Sequence, residues 1–259
     1  MSGQLQGKTA IVTGGGSGIG RAIALGFAAE GASVVIADIN LNGANAVATE
    51  IGANAIAVKC DVSQTADAEA MVKAALDRFG RIDTLVNNAG RFRGPDQLSI
   101  SAPGAAASRT SDADWDAVFA TNVRGTFVCS RAALSQMIPQ RSGVIINTAS
   151  GLGIRPAPGA AAYGASKAAI IHFTQTLAAE TARYGVRVNA FTPGVTDTPF
   201  WRAARTEAEI EQAYKDGVVG KPEDLVPALI FLASDAARDI SGVTIPREIY
   251  VKHSGGGPK

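Results

Sequence analysis

The chain is poor in the residues that tie proteins to metals or to covalent crosslinks. It has two cysteines and two histidines in 259 residues. Cys60 and Cys129 sit in the apolar runs IAVKC and GTFVCS. They read as buried free thiols, neither a disulfide framework nor a ligand cluster. So few histidines give no zinc site, and no metal is expected. An excess of one charge is also lacking. Lys and Arg number 24 against 23 Asp and Glu, a formal net charge of +1. That balance gives no footing for a nucleic-acid or membrane-surface partner. No apolar run approaches the ~20 residues of a membrane helix. The start, MSGQLQGKTA, lacks the basic and then apolar pattern of a signal peptide. The expectation is a soluble, cytoplasmic protein.

What is present is alternation. Short β-branched runs at 9–13, 33–38, 55–60, 83–88, 143–150, 186–191 and 243–251 alternate with helical stretches at 18–30, 41–51, 64–79, 112–138, 163–184 and 222–234. Runs buried on both faces and separated by helices imply a parallel sheet with right-handed crossovers. The reading is a single-domain α/β fold, doubly wound. Residues 91–111 and 192–205 read as irregular, 192–216 as a lid over substrate with a rigid oligomer contact as the alternative, and 253–259 as a flexible tail. Pro227 falls inside the helix read over 222–234, where it would cost a hydrogen bond.

The segment TGGGSGIG (13–20) joins the first strand to the first helix. Gly14, Gly18 and Gly20 let backbone approach a pyrophosphate, and Ser17 and Ile19 lie in the same turn. The helix start offers unpaired N–H groups to that anion. A glycine repeat alone could be only a tight turn; directly between strand and helix it points to a dinucleotide. Asp38 ends the second strand, 18 residues past Gly20. Its carboxylate suits ribose hydroxyls and repels a 2′-phosphate. Ile39, Asn40, Gly15 and Gly16 supply no cation, so NAD(H) is expected over NADP(H). Asp61 and Val62, ending the third strand, could hold the adenine.

Tyr163 and Lys167 are four apart and share a helix face. Ser150 ends a strand at the carboxyl edge, where ligands bind in this fold. A phenol that trades a proton with an alcohol near neutral pH must leave its reference pKa of about 10. A shift of roughly 3 units needs about 4 kcal/mol, which a nearby ammonium and a nicotinamide cation could supply. Ser150 would stabilise the developing charge on the substrate oxygen.

These residues together resemble the short-chain dehydrogenase/reductase family in its non-extended form. TGGGSGIG (13–20), DV (61–62), NNAG (87–90), Asn122 in TNV, Ser150, YGASK (163–167) and PG (193–194) occur in the family's order over roughly residues 5–240. The resemblance implies a Rossmann-type sheet of about seven parallel strands and a homotetramer. It implies a catalytic tetrad of Asn122, Ser150, Tyr163 and Lys167, with Lys167 on the nicotinamide ribose and Asn122 holding a relay water. It also implies cofactor contacts from Asn88, Ala89, Gly90, Pro193, Gly194, Thr196 and Thr198. The chain departs from the family in its long 91–111 loop, in Thr196 and in its ending, GVTIPREIYVKHSGGG.

Arg91, Arg93, Arg155 and Arg202 are the candidate substrate cations, with Arg205, Arg247 and Lys252 as further charges expected near the cleft mouth, and Phe200 and Trp201 are the candidate apolar contacts. Guanidinium groups suit a carboxylate, as in a keto acid or sugar acid. The aromatic residues equally suit a hydrophobic or aromatic alcohol. A nucleotide-binding regulator that has lost catalysis is the reading from another class.

Overall fold

The structure, a computed structural model, describes residues 3–93, 107–203 and 205–247. Its strands are β1 (Thr9–Thr13), β2 (Ser33–Asp38), β3 (Ala55–Lys59), β4 (Thr84–Asn87), β5 (Gly143–Thr148), β6 (Val186–Thr192) and β7 (Thr244–Pro246). They form one seven-stranded sheet in the order β3-β2-β1-β4-β5-β6-β7. Every pairing is parallel.

The helices are α1 (Gly18–Ala29), α2 (Leu41–Ile51), α3 (Thr65–Phe79), α4 (Asp112–Phe119), α5 (Gly125–Gln140), α6 (Ala161–Thr181), α7 (Pro199–Arg202), α8 (Glu207–Lys215) and α9 (Val226–Ala233). Successive strand residues feed opposite cores, as the two-residue period requires. Val12 and Val86 pack with Ile23, Phe27 and Leu229 of α1 and α9 on one face. Ile11 and Leu85 pack with Met71, Val128 and Met137 of α3 and α5 on the other. The chain runs outward from β1 to β3, then returns to β4 beside β1 and runs the other way. Ligands bind in this fold beyond the carboxyl ends of the strands at that reversal.

Four details differ from the sequence reading. The helix expected over 112–138 is interrupted by a π-helical turn at Ala120–Arg124, centred on Asn122. The helix expected from 222 starts at Val226 after a 3-10 turn at Pro222–Leu225, which puts Pro227 in the first turn of α9. An N–H there has no partner within the helix, so the proline costs nothing. The stretch read as irregular over 192–205 holds the short helix α7, and the lid segment continues into α8. The Thr198 Oγ1 accepts from Trp201 N at 3.1 Å and starts α7, and Thr206 and Glu209 cap α8 reciprocally. The strand read over 243–251 is described only as Thr244–Pro246. Its remainder, Lys252, the tail at 253–259 and most of the 91–111 loop lie outside the described residues.

Candidate active site

The glycine turn after β1 is fixed by closeness to backbone. A Cβ on Gly20 would lie 2.0 Å from the Gly14 carbonyl oxygen. One on Gly14, whose φ is +62°, would lie 2.9 Å from the Ala89 Cα. The Asn88 Nδ2 donates to the Thr13 and Gly14 carbonyls at 3.0 and 3.2 Å, stapling the end of β4 to this turn. Thr13 Oγ1 accepts from the N–H groups of Asn88 and Ala89. Ser17 caps α1 without a side-chain bond, and the first turn carries no acid. The leading N–H groups of α1, around Gly18 and Ile19, are therefore open to an anion. A dinucleotide pyrophosphate fits this cradle, since glycine is the only residue that leaves its backbone this accessible.

Asp38 closes the turn from β2. Its Oδ2 accepts from Gly16 N at 2.9 Å and its Oδ1 from Asn40 N at 2.8 Å. Beside it Ile39 is 65% exposed, an apolar lip where a cation would be needed for a 2′-phosphate. At the end of β3, Asp61 is partly committed elsewhere, since its Oδ1 accepts from Ser63 N and Oγ. Val62 packs under Gly125. Across the turn, Thr198 reaches the glycine loop; a Cβ on Gly18 would meet its Cγ2 at 3.1 Å.

The Pro193–Thr198 loop is held from behind by Arg247. Its Nη1 donates to Pro193 O at 3.1 Å and Thr196 Oγ1 at 2.8 Å, and its Nη2 pairs with Asp224 at 2.7 Å. Position 247 looked from sequence like a charge near the cleft mouth. It is instead 6% exposed and already satisfied.

At the reacting end, β5 delivers Ser150 and α6 delivers Tyr163 and Lys167. Ser150 acts on the Tyr163 phenol as a hydrogen-bonding neighbour that favours its ionised form, while its Oγ accepts from Leu152 N at 3.2 Å. Lys167, 3% exposed, donates from Nζ to Thr148 O at 2.7 Å, and Nζ lies 5.6 Å from the Tyr163 ring centroid. Gly153 permits this placement, because a Cβ there would come within 2.6 Å of the Lys167 backbone.

Asn122, fully buried, donates from Nδ2 to Arg91 O and Ser166 Oγ, both at 2.9 Å, and accepts at Oδ1 from Arg91 N at 2.7 Å. Ser166 Oγ in turn donates to Tyr163 O at 2.7 Å. The π-helical turn thus aims one amide at both the strand exit and α6. Gly90 stands between: a Cβ there would be 3.5 Å from Asn122 Oδ1 and 3.7 Å from Lys167 Nζ.

The electrostatics depart from the sequence expectation of a depressed phenol. Burial pushes Tyr163 up to about 12, with the Ser150 hydrogen bond opposing it. Burial also brings Lys167 down to about 8. In the protein by itself, exclusion of water outweighs the ammonium, which bonds a carbonyl and not the phenol.

The substrate side is aromatic. The Phe92 ring lies 4.5 Å from that of Tyr163, tilted by 36°, and meets Phe200 edge-on at 6.4 Å. Trp201 is buried behind Phe200, which is 50% exposed. The candidate cations separate. Arg202 is taken by Asp197, at 2.5 and 2.9 Å, and Tyr214 bonds the same carboxylate. It is thus an exposed ion-pair member with its guanidinium already engaged. Arg91 and Arg155 are exposed. Arg93 lies over the Phe92 ring, with Cζ 5.9 Å from the centroid. Arg205 lies over Trp201 with Cζ at 4.6 Å.

Sequence reasoning also passed over a buried polar string. Asn87 Nδ2 donates to Ser130 Oγ and Asn147 Oδ1, and Asn147 Nδ2 to Thr174 Oγ1. It ties β4 and β5 to α5 and α6 beneath Tyr163 and Lys167. Asparagines inside the apolar runs TLVN and GVIINT were its signal, since buried amides need partners.

A doubly wound sheet with a glycine cradle on one side of its switch point, and a phenol, hydroxyl and ammonium on the other, defines an oxidoreductase of CH–OH and C=O groups. The chain belongs to the short chain dehydrogenase family, which it matches over residues 8–209. It is 35% identical over 243 residues to the (2S)-[(R)-hydroxy(phenyl)methyl]succinyl-CoA dehydrogenase subunit BbsD of Thauera aromatica, covering 92% of this chain and 94% of that one. It is 41% identical over 245 residues to a 3-oxoacyl-[acyl-carrier-protein] reductase of Synechocystis, covering 93% and 95%. The 3-ketoacyl-(acyl-carrier-protein) reductase from Brucella melitensis, solved complexed with NADH, superposes with a TM-score of 0.84 at 37% identity, covering 93% of this chain and 97% of that one.

Proposed function

We propose that the protein interconverts a secondary alcohol and a ketone or aldehyde with NAD(H), in preference to NADP(H), through Tyr163, Ser150, Lys167 and Asn122. The observation that carries this is the hydroxyl pair of Tyr163 and Ser150 beside the buried Lys167. Bound nicotinamide supplies or accepts the hydride. Tyr163 gives its proton to the carbonyl oxygen during reduction and takes it back during oxidation. Ser150 donates a hydrogen bond to the same oxygen as charge grows there.

In the protein by itself Ser150 is the group that lowers the phenol, and Lys167, in line with the family resemblance, would hold the nicotinamide ribose and add its charge once the cofactor is bound. Cationic charge brought close to this dry pair by the oxidised cofactor acts in the same direction. Asn122 has its amide spent on Arg91 and Ser166, so it positions the strand exit against α6. Its main-chain oxygen, which accepts from Thr126 Oγ1 at 2.7 Å, keeps a second lone pair for a relay water. Asp38 and Ile39 set the nucleotide preference. In line with the family resemblance, we read the enzyme as a cytoplasmic homotetramer. Among the described residues no helix is long and apolar enough to cross a membrane.

The test is absorbance of NADH with a panel of ketones, for the parent and for Tyr163→Phe. Loss of one positioned proton donor is expected to cost about 10³-fold in kcat, with NADH affinity retained. Equal turnover by the variant would remove Tyr163 from the chemistry.

A further inference from the structure

Most arginines described here have acceptors. Arg81 pairs with Asp83, Arg202 with Asp197 and Arg247 with Asp224, and Arg187 donates to three carbonyls. Arg93 and Arg205 differ. Among the described residues, the Nε of Arg93 is buried with no hydrogen-bond partner, and so is the indole Nε1 of Trp201. Trp201 itself is 8% exposed. Arg205 stacks on that indole and donates from Nη1 to Trp201 O at 2.8 Å, and it forms no ion pair among the described residues.

The two cations sense each other. The charge of Arg93 helps hold the Arg205 guanidinium below its usual range, after burial. Glu209 is the acid that acts on Arg205. Its Oε2 is held by Thr206 N and Oγ1 as the cap of α8, and Glu209 makes no ion pair with Arg205 among the described residues.

Buried donors without acceptors destabilise the fold that holds them. Two of them beside two like charges describe a place shaped for negative charge. The place also adjoins the reacting groups. Arg93 follows Phe92, whose ring is 4.5 Å from Tyr163, and Trp201 follows Phe200, whose ring is 6.4 Å from Phe92. One donor set comes from the exit of β4 and the other from α7 and the residues after it, and the Phe92–Phe200 contact joins the two.

We propose that Arg93, Arg205 and the Trp201 N–H form an anion site that receives the carboxylate of a hydroxy or keto acid, with the intervening apolar part of the substrate against Phe92 and Phe200. The site rests on the oxidoreductase reading only for placing the reacting carbon at Tyr163. The path from the Arg93 guanidinium to Tyr163 runs through two steps of 5.9 and 4.5 Å by way of Phe92. Arg93 and Tyr163 thus share Phe92 as a neighbour, which puts the anion site on the same aromatic wall as the reacting groups. Arg202, which the sequence suggested for this role, has its acceptor already in Asp197.

The experiment reads binding, so it does not depend on turnover. The full-length protein with NADH is titrated by calorimetry with 5-phenylpentanoate and with 5-phenylpentanamide, which share shape and differ in charge. The acid is expected to bind at least tenfold more tightly, and added salt should narrow the gap. In Arg93→Gln/Arg205→Gln the two should bind within twofold of each other. Trp201→Phe keeps the ring and deletes one N–H, so the preference should fall about threefold there even if the double variant does not fold. Equal binding of acid and amide by the parent overturns the proposal. So does a preference that survives in the double variant or is untouched by Trp201→Phe. Tyr163→Phe should keep the full acid preference. An arginine-dependent preference without turnover of any keto acid would refute the oxidoreductase reading and leave the anion site standing.

Discussion

The two ends of the catalytic edge are built by opposite means. The nucleotide end is shaped by missing atoms: Gly14 and Gly20 lie so close to other backbone that a single carbon would collide. The reacting end is shaped by side-chain hydrogen bonds that run from Arg91 through Asn122 and Ser166 to Tyr163, and from Asn87 through Asn147 to Thr174. Volume therefore governs the first and proton and charge balance the second. Substitutions at the two ends should fail in different ways.

The largest stability effect should come from adding one methyl group at the nucleotide end. In Gly20→Ala the new carbon would sit 2.0 Å from the Gly14 oxygen and near the Asn88 amide, and neither backbone can retreat without moving β1 or α1. A loss of about 3 kcal/mol is expected, with weaker NADH binding. Gly90→Ala, at the reacting end, meets nothing closer than 3.5 Å and should cost less than about 1 kcal/mol. Urea unfolding of both variants would break the contrast if the two losses were alike.

A charge substitution should act the other way. Lys167 is brought down to about 8 from its usual 10.5, so the folded state resists its ammonium. The unfolded chain binds the extra proton between about pH 8 and 10.5. Stability therefore rises with pH across that window, and below it the full penalty is present. That penalty is about 3 kcal/mol. Lys167→Met removes it and forfeits the bond to Thr148 O, worth about 1 kcal/mol. The cofactor-free variant should be about 2 kcal/mol more stable at pH 7, and should lose that advantage by about pH 10.5, while turnover collapses. Denaturation of parent and variant at pH 7 and pH 10 checks the sign. A variant less stable at pH 7 would mean that the buried ammonium is better solvated than its surroundings imply.

The same division explains what could be read without the structure. The glycine turn, Asp38 and the Tyr163–Lys167 spacing are local patterns set by backbone geometry, and each lies where the spacing puts it. The alternation of strands and helices likewise gave the sheet, because buried parallel strands demand continuous apolar runs. What escaped depends on tertiary partners. Nothing in the run PREIY says that Arg247 will be buried under Thr196. Nor does Arg205 betray in sequence that it stacks on Trp201. The break at Asn122 escaped for a similar reason: a π-helical turn arises from where the amide must reach, and the apolar period continues on either side of it.

The smallest predicted effect tests whether Asp38 belongs to the nucleotide end by shape or by charge. Its two oxygens are each engaged, one by Gly16 N and one by Asn40 N. An amide in its place offers only one acceptor, so Asp38→Asn must release one of these loop bonds, a cost of about 1 kcal/mol in stability. It also removes the charge that discriminates against a 2′-phosphate. If charge governs, the ratio of kcat/KM for NADH over NADPH should fall about tenfold, or 1.4 kcal/mol, because Ile39 and the glycines beside it present no other ion to either nucleotide. If shape governs, the melting temperature drops and the ratio stays where it was, since the turn would loosen equally for both coenzymes. Parallel titrations with the two reduced nucleotides, read against the melting curve, separate these outcomes and decide whether this corner follows the packing rule of its neighbours or the charge rule of the opposite end.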